Sequence, residues 1–408
     1  MTLIKKAGLE NTLLQCTKCV LDTSTSLISF DKNGVCNYCH DYEKECLNLP
    51  SKSSCRKQLN TKIAEIKDYG RGKPYDCLIG LSGGVDSSYL AYLAVKVYKL
   101  RPLAVHFDNG WNSELAVLNI DRLLDHLGID LQTYVVNWEN FKDLQLAYIK
   151  ASVVDLEVPT DHFISATMNK FAYKKDIKYI LNGCNFVTEA ILPADWAFHQ
   201  KEDLKNLLDI HKHYGTHRLK QFPKLGYWQR VFYQKIAKIE QIYLLDMVDY
   251  NKKEAKQILE QELEWQDYGG KHYESLWTRF YQGHLLPKKY GIDKRKAHLS
   301  TLICSGQMSR EEALSELKCE PYPKNLQNAD KKYVQKKLGI SDEQFVEIMN
   351  TPRREHSEFK TEIKLRKMWD KKIENFEEFV HYLIHPIEAL KYMKYFVFKK
   401  FQKRINTD

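Results

Sequence analysis

The chain has 408 residues, 43% of them hydrophobic, enough for two or three folded modules with filled cores. Its 62 Lys and Arg against 53 Asp and Glu leave a net charge of +9, spread along the chain and compatible with nucleotides, acidic sugars or RNA as partners. No secretory pattern opens it and no apolar run approaches the roughly 18 residues of a membrane span, which argues against secreted and membrane-spanning classes and for a cytoplasmic protein.

Ten cysteines in such a chain point to metal binding or catalysis rather than to disulfides. Four are paired, as Cys16-Thr17-Lys18-Cys19 and Cys36-Asn37-Tyr38-Cys39, and two such knuckles let four thiolates converge tetrahedrally on one structural zinc. Between them Ser24 to Phe30 reads as extended and Asp31-Lys32-Asn33-Gly34 as a turn, so residues 1–50 are expected to form a zinc ribbon. Cys36-Asn37-Tyr38-Cys39-His40 also fits a haem attachment string, but the other cysteine pair argues against it and leaves His40 a bystander.

Residues 51–235 alternate helix and strand patterns. A polar helix from about Ser54 to Tyr69 precedes a short apolar run, Tyr75 to Leu81, and further strands are expected at Leu103–Phe107, Leu131–Val136 and Lys178–Asn182. Helices fill the intervals at about Asp86–Lys99, Ser113–Leu127, Phe141–Ser152 and His162–Lys175. The fold class is therefore α/β, a parallel sheet covered by helices on both faces with ligands at the strands' carboxyl ends. Beyond 235 the strand signal fades, and residues 236–408 are expected to be a mostly helical substrate or partner domain with capping boxes at Ser309-Arg310-Glu311-Glu312 and Ser341-Asp342-Glu343-Gln344. The tail from Glu388 to Arg404 mixes aromatic and basic residues, as a packed helix with a solvated basic face or a membrane-surface helix would.

The stretch Ser82-Gly83-Gly84-Val85-Asp86-Ser87-Ser88 falls between the first strand and its helix. Two glycines allow close backbone approach, and with the helix N-terminus and the hydroxyls of Ser82, Ser87 and Ser88 they make a nest for pyrophosphate oxygens. Bare phosphate would repel Asp86, whose expected role is to hold magnesium. The Gly-Lys-Ser/Thr ending of a Walker loop is absent.

That seven-residue string resembles the signature of the PP-loop ATP pyrophosphatases, a superfamily with an adenine nucleotide alpha hydrolase-like fold that includes GMP synthetase, asparagine synthetase and tRNA thiolases. The resemblance implies cleavage of ATP between its α and β phosphates and transfer of AMP to a substrate oxygen. A second resemblance covers nearly the whole chain. Asp108-Asn109-Gly110-Trp111-Asn112-Ser113, Pro159-Thr160-Asp161-His162, Tyr268-Gly269-Gly270-Lys271-His272-Tyr273-Glu274-Ser275 and Ser305 to Leu314 are similar to the N-acetyl sugar amidotransferase family of lipopolysaccharide O-antigen and pseudaminic or legionaminic acid synthesis. It implies conversion of an acetamido group on an acidic bacterial sugar into an acetamidino group, with ATP, Mg2+ and ammonia. No glutaminase motif is legible, so ammonia is expected from a separate glutaminase subunit. A tRNA thiolase-like enzyme is the alternative.

Candidate site residues cluster at strand ends. Asp108, Asn109 and Gly110 suit adenosine contact or an ordinary turn. Asn182, Gly183, Asn185 and Glu189 suit substrate or nucleotide binding, or a capped loop, and Cys184 a thiol nucleophile or a small packed residue. Asp161 and His162 can orient the sugar or manage a proton, and a helix N-cap by Asp161 reads equally well. Lys271, His272 and Arg279 can bind phosphate or a sugar carboxylate, or stand as surface charge. Lys294-Arg295-Lys296 reads as a surface feature.

Overall fold

The apolar runs expected as strands pair in one parallel sheet, and a fifth strand joins them. The strands are β1 (Cys77–Gly80), β2 (Pro102–Asp108), β3 (Asp130–Val135), β4 (Tyr179–Leu181) and β5 (Glu240–Ile242), in the spatial order β3-β2-β1-β4-β5. The order reverses between β1 and β4, which pair Leu78 with Ile180 and Ile79 with Leu181, and such a switch point opens a crevice at the carboxyl ends. The computed structural model describes residues 13–50, 52–220, 222–270 and 273–384.

Successive β1 side chains face opposite ways, and the two faces bury different helices. Cys77 and Ile79 pack with Leu59, Ile63 and Ile66 of the helix Lys52–Tyr69, Leu90 of Val85–Tyr92, Ile120 and Leu123 of Glu114–Leu127, and Leu259 and Leu263 of Lys252–Leu263. Leu78 packs on the other face with Leu103, Val105 and Ile180 against Met168 and Ala172 of the helix Val158–Lys174. Fully burying one such aliphatic side chain contributes about 1.5–3 kcal/mol.

Three expectations change. The strand signal does not end at 235, because Glu240–Ile242 pairs in register with Tyr179–Leu181; only three residues long and polar at two of them, β5 is held by backbone bonding to β4 rather than by its own pattern. The ribbon between the cysteine pairs reduces to isolated bridges, Gln15 with Asp22 and Phe30 with Cys36, around a turn in which the Gly34 N–H donates to the Asp31 carbonyl. The helix expected from His162 begins four residues earlier, at Val158, with Pro159 in its first turn, where a missing N–H costs nothing. Asp161 therefore lies inside the first turn and is not the cap.

The chain divides into two compact units, Met1–Lys360 and Thr361–Asp408. In the first, the cysteine segment and the helices beyond the sheet share one core, in which Cys16, Cys19, Cys36 and Cys39 belong to the same cluster as Trp111, Phe141, Trp277, Phe280 and Phe345. Ser309 and Ser341 both close capping boxes, with Glu312 and Gln344 respectively. The second unit contains the helix Ile363–Ile384. The tail from Glu388 to Arg404 lies outside the described residues, among which no helix is long and apolar enough to cross a membrane.

Candidate active site

Past β1, the chain turns through Leu81 and Ser82 into the helix Val85–Tyr92. Gly83 makes that turn at φ +79°, where a Cβ would come within 2.5 Å of the Ala116 carbonyl oxygen, so only glycine fits against the helix Glu114–Leu127. The Gly83 carbonyl accepts the indole N–H of buried Trp265 at 2.9 Å. The Ser82 and Ser87 hydroxyls stand 3.1 Å apart, and the Gly84 N–H donates to Ser82 Oγ at 3.3 Å. Asp86, in the first helical turn, accepts a hydrogen bond from the Tyr250 hydroxyl. Burial and the Asp86 carboxylate push the Tyr250 phenol upward, which keeps it a donor.

Ser82, Gly84, Val85, Asp86 and Ser87 line a cleft of about 1360 Å3, more than the roughly 300–1,000 Å3 of a pocket for one small ligand. Ser88 is fully buried, its hydroxyl without a hydrogen-bond partner among the described residues, and it does not line the cleft. Each helical residue turns the side chain by about 100°, which carries Ser88 away from the face Ser87 presents. The hydroxyls beside the cleft are those of Ser82 and Ser87.

Beyond β2 only Asn109 of the expected trio reaches the cleft. Asp108 Oδ1 accepts from the Gly110 N–H at 2.8 Å and from Asn112 Nδ2 at 3.2 Å, an Asx turn, and Gly110 sits at φ +78° with its carbonyl accepting from Lys337. His106, which the sequence reading passed over, lines the cleft from the end of β2. Its Nδ1–H donates to the Leu81 carbonyl at 2.9 Å, and Nε2 lies 3.0 Å from Asn112 Nδ2, which fixes the ring between the loop and the turn.

Asn182, Gly183, Cys184 and Glu189, after β4, line the facing wall. Gly183 lies against the loop helix, where a Cβ would touch Ser87 Cα at 3.5 Å. Asn185 does not reach the cleft; its Oδ1 caps the Thr188 N–H at 3.0 Å and accepts the Thr188 hydroxyl at 2.9 Å. Cys184 is exposed to the cleft, yet desolvation by the cleft walls and the carboxylates of Glu189, Asp161 and Asp86 push its thiol up to about 12, which disfavours a thiolate.

Asp161 lines the cleft and His162 does not. The fully buried His162 ring is a structural clamp, with Nδ1 on the Lys201 carbonyl at 3.1 Å and Nε2 accepting the Leu225 N–H at 3.2 Å. Lys201 Nζ bridges Asp155 Oδ2 at 2.6 Å and Asp161 Oδ2 at 2.9 Å. Burial raises the Asp155 carboxyl, yet Lys201, Lys294 and the Phe198 N–H overcome it and hold the group at about 2. On the far wall Arg279 is paired bidentately with buried Asp330, at 2.9 and 2.8 Å, and its guanidinium faces the rings of Tyr273 and Tyr322. It lines the cleft with its charge compensated. Lys271 and His272 lie outside the described residues. Lys294 and Arg295 line the cleft rather than forming a surface run, and Arg295 is paired with Asp293 at 2.7 Å.

The four paired cysteines converge. Their sulfurs all lie within 4.8 Å of one another, with Cys16 to Cys39 at 3.9 Å, Cys19 to Cys36 at 3.7 Å and Cys36 to Cys39 at 3.7 Å. A zinc–sulfur bond of about 2.3 Å requires tetrahedral edges of about 3.8 Å, so the set fits zinc. The N–H groups of Lys18, Cys19 and Cys36 point at Cys16 Sγ from 3.4, 3.4 and 3.2 Å, which stabilises a thiolate there. Cys304 adds a fifth sulfur, 3.7 Å from that of Cys39, which no spacing in the sequence indicates.

A five-stranded parallel sheet with a glycine-turned Ser-Gly-Gly-Val-Asp-Ser loop at its switch point is the arrangement expected of a PP-loop fold. Comparison with known proteins divides the chain in two. Residues 59–152 match the family model described as NAD synthase, and residues 274–374 match that described as LPS biosynthesis protein WbpG-like, C-terminal domain. The chain thus joins an NAD synthase-like PP-loop segment to a WbpG-like C-terminal domain. Similar solved structures include an NH3-dependent NAD synthetase from Campylobacter jejuni, at 16% identity over 40% of this chain and 79% of that one with a TM-score of 0.26. An NMN synthetase from Francisella tularensis matches at 15% identity over 47% of this chain and 73% of that one, also with a TM-score of 0.26. No curated protein matches the chain.

Proposed function

We propose that this chain is an ATP-dependent amidotransferase of bacterial surface-polysaccharide or nonulosonic acid synthesis, which adenylates the acetamido oxygen of an acidic N-acetylated sugar and replaces it with ammonia-derived nitrogen. One observation carries the reading: a single cleft is lined both by the PP-loop, inside the NAD synthase-like segment, and by Glu274, Thr278, Lys294 and His298 of the WbpG-like segment. The volume suits a nucleotide and a second substrate side by side.

The chemistry follows from what an amide lacks. Its carbonyl is a weak electrophile and its oxygen a poor leaving group. When that oxygen attacks the α-phosphate of ATP, the bond to pyrophosphate breaks, and the oxygen becomes part of a phosphate monoester that can depart as AMP. Ammonia adds to the activated carbon, and loss of AMP leaves the acetamidino group. The loop's part is alignment: the backbone at Gly83 and Gly84 and the Ser82 and Ser87 hydroxyls bind the β and γ phosphates, so that the α-phosphate faces the sugar wall. Magnesium held by Asp86 would neutralise charge on the leaving pyrophosphate, and the Tyr250 hydroxyl fixes the orientation of that carboxylate. Zinc at the four cysteines would be structural, since four sulfurs leave no open position.

The test is to incubate purified protein with ATP, magnesium, ammonium and acetamido sugars and to follow AMP, pyrophosphate and the product mass. One AMP per acetamidino sugar is expected, with ammonium alone sufficient and glutamine inactive unless a separate glutaminase is added. ADP as the product, or adenylation of tRNA and of no sugar, would overturn the proposal.

A further inference from the structure

The acidic wall of the cleft contains a group that adenylation does not use. Glu157, the residue before the helix Val158–Lys174, is 7% exposed and lines the cleft, and its Oε1 has no hydrogen-bond partner among the described residues. Leaving a polar atom buried and unpaired costs about 1–3 kcal/mol, a cost that a ligand arriving in the cleft would relieve. Its surroundings indicate what the ligand is. Lys201 Nζ, a singly charged nitrogen with N–H donors, already bridges Asp155 and Asp161 on this wall, and Lys294 faces it from the chain before the helix Arg295–Cys304. With Glu157 ionised, three carboxylates stand beside these two lysines, a balance of one negative charge that suits a singly charged N–H donor and falls short of a divalent metal. Tyr281 is a further titratable neighbour, its phenol held neutral by burial, and His199 faces the same Lys201, Asp155 and Lys294, with desolvation holding its ring below the usual imidazole range.

We propose that Glu157 is the general base that takes a proton from ammonium, an inference that rests on the amidotransferase reading. An oxygen of Glu157 removes one proton from the ammonium nitrogen, and the N–H bond pair stays on nitrogen as the nucleophilic lone pair. That pair forms the bond to the adenylated carbon. The added nitrogen gives up a second proton as the C–O bond breaks, and AMP departs with the bonding pair and that proton. Burial, and after it the Asp161 carboxylate, hold the Glu157 carboxyl up at about 8 against the opposing pull of Lys201. A base poised near neutrality can accept a proton from an acid as weak as ammonium and return it to the open cleft.

The experiment compares wild type with Glu157→Gln, which keeps the shape and removes the base. Sugar-dependent exchange between ATP and pyrophosphate, without ammonium, reads adenylation alone. Turnover with ammonium reads the whole reaction, and turnover with hydroxylamine, unprotonated at neutral pH, bypasses the proton removal. The variant is expected to retain exchange and hydroxylamine turnover while its ammonium-dependent rate falls roughly 10²–10⁴-fold, the usual range for a general base. Wild-type ammonium turnover should rise with pH through about 8, and the variant should lose that limb. Equal losses in all three assays, or an unchanged ammonium rate, would overturn the role of Glu157. Absence of sugar-dependent exchange in the wild type would instead sink the amidotransferase reading and take this inference with it.

Discussion

The cysteine centre and the cleft are both crowded with polar groups, but they are finished to different degrees. At the first, four sulfurs close a tetrahedron, and backbone N–H groups point at Cys16 and Cys19. At the second, carboxylates, hydroxyls and an imidazole converge on about 1360 Å3 of open space, and a buried carboxyl oxygen has no hydrogen-bond partner among the described residues. A closed donor set stabilises a fold, whereas an open one is arranged for something that comes and goes. The contrast predicts that damage to the centre shows in stability, and damage to the cleft in turnover.

The largest effect is expected at the centre. Cys36→Ser should lower stability by several kcal/mol, within the roughly 10–16 kcal/mol of a whole small zinc site, and should reduce bound zinc, because these cysteines share a core with Trp277 and Phe280. Thermal melting and metal content check this; unchanged values for both would contradict it. Arg279→Ala comes next. It strands buried Asp330 and should cost about 3–5 kcal/mol. A raised KM without loss of stability would move Arg279 from scaffold to ligand contact. Asp86→Asn should leave the melting temperature nearly unchanged while sugar-dependent pyrophosphate exchange falls roughly 10²–10³-fold, the scale of losing one charge-stabilising group. The smallest effect is expected at Cys184, where a thiol pushed up to about 12 makes Cys184→Ala change turnover by less than about twofold.

Legibility in the sequence followed the range of the interactions involved. The four short strand runs, the loop from Ser82 to Ser88, the cysteine knuckles and the capping boxes at Ser309 and Ser341 are local signals, and each stands in the fold where its pattern put it. β5 carried no such pattern, since Glu240 and Gln241 are polar and the strand exists through its pairing with β4. The same limit governed the site. Tyr250 reaches Asp86 across 164 positions and Trp265 reaches Gly83 across 182, distances no spacing rule spans. His106 did leave a trace, as the one ionisable side chain inside an otherwise apolar run. His162 misled for the opposite reason: an imidazole beside Asp161 reads as chemistry until both its nitrogens are found on backbone groups.

The central claim is that the sugar's acetamido oxygen is the atom adenylated in the cleft. The direct measurement is to label that oxygen with 18O, run the reaction with ATP and ammonium, and weigh the AMP. The account predicts one 18O in each AMP released and none in pyrophosphate. Unlabelled AMP, or label retained in the sugar product, would contradict it.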